Sequence, residues 1–161
     1  MSAIHPTYSR TLRAALLLAC TAFFLVAEAH SQPRSPRLLI VGAGIVDLDI
    51  QPDASGEGSA EHDRTRAIYW GASGTFKMTV SAFAPQETAT LTVTAEGVTR
   101  GVSTGPVQLV DGMAPTDLIV NISGRGIGFA GLRYRAEVTA ESGLPVGGTE
   151  SRTITYTITA Q

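Results

Sequence analysis

Thr153-Ile-Thr-Tyr-Thr-Ile-Thr-Ala160 is the stretch on which the fold turns. Ile154, Tyr156, Ile158 and Ala160 fall on one side of the chain, and Thr153, Thr155, Thr157 and Thr159 on the other. A period of two belongs to a half-buried strand; a helix would need apolar residues every three to four positions. Threonine is β-branched, stiff at χ1 and polar, which suits the wet face of such a strand.

The same alternation recurs upstream. Leu132, Tyr134, Ala136, Val138 and Ala140 alternate with Arg133, Arg135, Glu137 and Thr139; Phe76, Met78, Val80 and Ala82 alternate with Lys77, Thr79 and Ser81. Leu91, Val93 and Ala95 make a third such run, Leu118, Val120 and Ile122 a fourth, and Val107 with Leu109 a short one. Leu38, Ile40, Gly42, Gly44, Val46, Leu48 and Ile50, with Asp47 and Asp49 opposite, predict one long first strand. Residues 51–66 are rich in Gly, Ser and acids and read as a loop. Turn residues separate the runs at Gly71–Gly74, Ala84-Pro85-Gln86, Glu96-Gly97, Gly105-Pro106, Asp111-Gly112 and Gly147-Gly148. No stretch carries an amphipathic helix pattern.

Short strands at this spacing, with the lone Trp70, resemble immunoglobulin-like or fibronectin-III-like domains. The resemblance implies an all-β fold: a single antiparallel two-sheet immunoglobulin-like sandwich of seven or eight strands. Gly131-Leu-Arg-Tyr134-Arg-Ala-Glu-Val138 is similar to the late strand that carries a tyrosine corner in such domains. The closing stretch Gly147–Ala160 also resembles the last strand of spore-coat-U-like pilins. The expected core is Val46, Leu48, Phe76, Met78, Val80, Leu91, Val93, Leu118, Val120, Leu132, Tyr134, Val138, Ile154, Tyr156 and Ile158.

Arg10 and Arg13 precede an apolar run, Ala14 to Val26, and then Ala27-Glu28-Ala29. A run of that length fits the h-region of a secretory signal, and Ala-x-Ala supplies the small residues at a cleavage site. Residues 1–29 therefore read as a cleaved signal peptide, 30–37 as a flexible Pro-interrupted tether and 38–161 as the β-sandwich domain. Ala29-His30-Ser31 offers a second cleavage point after Ser31. Cys20, the single cysteine, bisects the apolar run instead of closing it, which argues against a lipidated cysteine. The expected location is secreted, periplasmic or cell-surface, with no membrane attachment after cleavage. The mature chain would be cysteine-free, with no disulfide and no thiol nucleophile.

At 161 residues and 43% apolar content the chain suits one globular domain. Twelve basic residues against fourteen acids, with Lys77 the sole lysine, leave no cationic face for a nucleic-acid backbone. Two glycine motifs resemble nucleotide-binding loops. Gly42-Ala-Gly44-Ile-Val-Asp47 places a carboxylate where the third glycine should be, and more strand follows where a helix should begin. Gly126-Ile-Gly128-Phe-Ala-Gly131 leads into another strand and reads as a glycine-rich turn. Asn121-Ile-Ser123 forms a glycosylation sequon on a solvent-facing strand position. Asp47, Asp49, Asp53, Glu57, Glu61 and Asp63 have the composition of a calcium loop without the spacing of one.

Cleavage after Ala29 would leave His30 with a free α-amine and an imidazole. Such a pair chelates Cu(II), with His62 or a neighbouring carboxylate completing the ligand set. No catalytic triad can be assembled from these residues, and no catalytic or cofactor-binding residue is nominated. The expected function is a non-enzymatic secreted or cell-surface structural or binding module of bacterial type, needing no cofactor. Its partners would be other surface proteins, polysaccharide or copies of itself, as in adhesion. Two alternatives stand beside it. One is a filament subunit that donates residues 38–50 to a neighbour's open sheet; the other is a periplasmic copper-binding protein using His30 and His62.

Overall fold

The computed structural model describes residues 35–42, 45–84, 88–139 and 150–161. The expected signal peptide, most of the tether, Cys20, His30 and the Gly147-Gly148 turn lie outside the described residues. Among the described residues nine strands form two antiparallel sheets, an all-β sandwich. The first sheet contains β1 (Arg37–Val41), β2 (Gly58–Gly71), β8 (Gly126–Val138), β4 (Thr90–Glu96) and β6 (Val107–Leu109), in that order. The second runs β5 (Val102–Ser103), β7 (Thr116–Ser123), β3 (Thr75–Phe83) and β9 (Thr153–Ala160).

The core lies where the inward halves of the alternating runs meet. Met78, Val80, Val93, Leu118, Ile119, Ile122 and Leu132 are fully buried, and each aliphatic side chain of this size contributes about 1.5–3 kcal/mol. Phe76, Leu91, Tyr134 and Val138 are buried as expected. Val46, Leu48, Ile154, Tyr156 and Ile158 pack against the core and remain half-buried. Val120 differs: it is half-buried, and Ile119 takes the inward place. The β3–β7 register slips between Phe76 and Thr79, opposite Asn121, whose φ is +57°. That bulge changes the parity of β7, so Ile119 faces in with Ile122, and a second slip, between Met78 and Thr79, lets Leu118 face in beside it.

Residues 58–66, read from sequence as loop, belong to β2, the longest strand. The charged residues mask its period. Thr65, Ala67 and Tyr69 point inward and Arg66 outward, but a bulge between His62 and Thr65 reverses the phase upstream. Trp70 consequently faces outward and is half-exposed, while Tyr69 occupies the core and donates to the Arg100 carbonyl at 2.6 Å. Gly126–Gly131 is likewise not a turn but the first half of β8. A Cβ on Gly128 would overlap the Tyr69 ring, so the glycine there makes room for an aromatic core residue.

The long first strand expected over residues 38–50 is broken. Among its described residues only Arg37–Val41 pairs, with β2 of its own domain, from Arg37↔Trp70 to Val41↔Arg66. At Gly42 the backbone turns to φ +80°, and a Cβ would sit 2.9 Å from the Arg64 carbonyl oxygen. Beyond it, residues 45–50 keep the alternation of burial but join no sheet.

Candidate functional site: an open groove beside the last strand

The edges of the two sheets are unequal. β5 and β6 close one side with two and three residues. On the other side β9 offers eight residues that pair in unbroken register with β3, from Phe76↔Ala160 to Phe83↔Thr153. Its far edge has no strand partner among the described residues. Edge strands are usually blunted by charge, proline, bulges or shortness. β9 has none of these devices, because its sequence is uncharged, proline-free and regular.

Residues 45–50 lie across from that edge. Val46, Leu48 and Ile50 turn toward the core, and Ile45, Asp47 and Asp49 toward solvent. Among the described residues the backbone of 45–50 makes no hydrogen bond. Between this segment and β9 runs a groove of about 990 Å³. Its floor is Leu91, Tyr134 and Ala136, and its walls are Val46, Leu48 and Ile50 on one side and Ile154 and Tyr156 on the other. Its lining runs along residues 45–50 on one side and 150–156 on the other, the length of an extended strand of roughly six residues at ~3.3 Å each. A single strand laid there would find backbone groups on both flanks.

Two polar contacts fix the groove's shape. On its floor the Tyr134 and Tyr156 hydroxyls lie 2.8 Å apart, joining β8 of one sheet to β9 of the other. Burial raises both phenols above their ordinary range, so both stay protonated at neutral pH. At the end where β9 begins, Arg152 pairs with Glu150, and their side chains are only 7% and 15% exposed. Arg152 also donates to the carbonyls of Leu109, at 2.7 Å, and Ala89. Glu150 accepts from the Thr88 amide at 2.9 Å, the Thr88 hydroxyl at 2.7 Å and the Ala89 amide at 3.1 Å. Burial alone would raise the Glu150 carboxyl, but the bonds from Arg152, Thr88 and Ala89 outweigh it and hold it below the usual range. The pair therefore pins the start of β9 to β4 and β6 across the sandwich.

The residues singled out from sequence are dispersed. His62 lies on a strand, not in a loop, and faces inward: its Nε2 is 3.2 Å from the Thr65 hydroxyl, and its ring is tilted against Tyr134. Glu61 and Asp63 project to the other face of β2, so the neighbouring carboxylates do not converge with His62. Glu61 lies 3.8 Å from Arg135, and Asp53 accepts from the Ser55 hydroxyl and the Ser55 and Glu57 amides within its own turn. Among the described residues no three His, Cys, Asp or Glu side chains gather as a metal site. Tyr134 bonds another side chain instead of the upstream backbone that a tyrosine corner would use. Sequence reading placed Tyr134, Ile154, Tyr156, Leu48 and Val46 in a closed core; their shared feature, an unfilled side, was missed.

Compared with known proteins, the chain matches no family model and no curated sequence. A chain in a solved chaperone–tip adhesin complex of CFA/I fimbriae biogenesis resembles it with a TM-score of 0.45 and 13% identity. That similarity covers 78% of this chain and 42% of the other, so this chain spans less than half the length of the one it resembles. No helix among the described residues is long and apolar enough to cross a membrane.

Proposed function

We propose that this protein is a non-enzymatic structural or binding module, secreted or displayed at a bacterial cell surface, that receives an extended strand of a partner protein in its groove. The observation that carries the reading is the unblunted β9 edge facing an unpaired segment, 45–50, across a strand-sized apolar gap. Strand addition of this kind draws affinity from main-chain hydrogen bonds and specificity from pockets for alternate side chains. Ile154, Tyr156, Val46 and Leu48 are only half-buried and supply the apolar area such a strand would cover. The groove is poor in groups suited to catalysis. Its two tyrosines are held protonated, and its ion pair is engaged with backbone amides and carbonyls. Within this class, the filament-subunit reading takes the form of a subunit whose groove is filled by another chain, since β1 already pairs at home.

The test is binding of an eleven-residue peptide alternating Val or Ile with Ser, followed by fluorescence anisotropy against a scrambled peptide of equal composition. Saturable binding of the alternating peptide alone is expected; equal or absent binding of both overturns the reading. A screen of the purified domain for hydrolase, esterase and oxidase turnover should be negative, and robust turnover would overturn the non-enzymatic part.

A further inference from the structure

We infer that the groove selects a partner strand whose outward-facing side chains are basic, and that this partner is not residues 45–50 of a second copy. The inference rests on the strand-receiving reading above and adds the chemistry of the strand. An incoming strand alternates its side chains between the core and solvent. Those directed to the core meet Val46, Leu48, Leu91, Tyr134 and Ile154 and must be apolar. Those directed to solvent lie between two rims of different charge. On the β9 side the rim is Thr153, Thr155 and Thr157, exposed and neutral. On the other side it is Asp47 and Asp49, both exposed and two residues apart, with the spacing of alternate strand positions.

Neither carboxylate is neutralised by a cation among the described residues. Asp49 meets only the Gln51 amide, at 3.4 Å, and Asp47 takes part in no ion pair. Cross-strand neighbours of opposite charge are mutually stabilising and like charges are destabilising, in either strand direction. Two aspartates on one rim therefore favour Lys or Arg at alternate positions of the guest and disfavour Asp or Glu. Residues 45–50 of another copy would present Asp47 and Asp49 to the same rim and meet like charge. The groove thus favours a different protein over self-assembly through this segment.

The experiment uses the mature protein and the alternating peptide in three versions, with Lys, Ser or Glu at the outward positions, plus a peptide spanning residues 45–50. Affinities are measured at low salt on the native protein and on the Asp47→Asn, Asp49→Asn double variant. The expected order is Lys tighter than Ser, and Ser tighter than Glu, with about three- to tenfold per step. The 45–50 peptide should bind no better than the Glu version. The spread should collapse in the double variant, which lies on the solvent face and keeps the fold by circular dichroism. Equal affinity for all three versions, or an order unchanged by the double variant, overturns the charge selection while leaving strand capture intact. Tight binding of the 45–50 peptide overturns the exclusion of a second copy. Failure of every peptide to bind overturns the strand-receiving reading itself, and the selection with it.

Discussion

The hydroxyl of Tyr134, on the central strand of one sheet, lies 2.8 Å from the hydroxyl of Tyr156, on the edge strand of the other. This contact spans the open side of the sandwich and sets how far β9 stands from the groove floor. Replacing Tyr156 with Phe removes the partner of a buried hydroxyl and should cost about 1 kcal/mol, read as a lower denaturant midpoint. The same substitution should release β9 from the Tyr134 hydroxyl and weaken binding of the alternating peptide; unchanged stability and unchanged binding would contradict that role.

Alkaline pH tests the same pair. Burial raises both phenols in the fold, so the folded state holds its protons where the unfolded chain, with tyrosines near ~10, releases them. Stability from this source is complete below the unfolded value and declines as pH rises beyond it. Urea melts of the native protein should lose midpoint above about pH 10, and the Tyr134→Phe, Tyr156→Phe double variant should lose less.

Arg152 and Glu150 give a prediction with opposite pH sense. Arg152→Ala would remove the cation paired with Glu150, which keeps only the Thr88 and Ala89 donors, and would take a donor from the carbonyls of Leu109 and Ala89. Loss of these charge-assisted bonds should cost about 1.5–3 kcal/mol, which calorimetry should show as a drop in Tm. Because the Glu150 carboxyl is held below its ordinary range, its contribution is present above about pH 4.5 and is lost as pH falls through the folded value. Acid unfolding should therefore be shallower in Glu150→Gln than in the native protein.

Gly128 faces the Tyr69 ring, and a methyl group there has no space. Gly128→Ala should cost about 1–3 kcal/mol by overpacking, and Tyr69→Leu in the same chain should recover part of it. A double-mutant cycle reads the coupling; additive losses would mean that the glycine serves the backbone alone.

The sandwich was legible in the sequence wherever a strand kept strict parity on an apolar face. Thr153–Ala160, Leu132–Val138 and Phe76–Ala82 read correctly because every second residue is apolar and every other one polar. Parity failed at bulges. Asn121, in a left-handed conformation, exchanges Val120 for Ile119, and the slip between His62 and Thr65 hides β2 among its own charges. Gly42 ends β1 through an approach to the Arg64 carbonyl, a contact 22 residues away that no local pattern carries. The candidate groove was less visible than the fold. Val46, Leu48, Leu91, Tyr134, Ile154 and Tyr156 were expected in the core, because an alternating strand has the same sequence whether its edge is paired or free. His30 and His62 drew attention as rare chemical groups, yet His62 is placed by packing against Tyr134 and Thr65.

Pairing of a guest strand along β9 would be seen by amide hydrogen exchange resolved to single residues. In the free protein, alternate amides of Thr153–Ala160 point away from β3 and should exchange fast, as should those of 45–50. With saturating Lys-bearing alternating peptide, those same amides should slow by at least about tenfold, equivalent to ~1.4 kcal/mol of added protection, while β5 and β6 stay unchanged. Peptide binding that leaves the exchange of β9 and of 45–50 untouched would mean that the guest does not pair with β9.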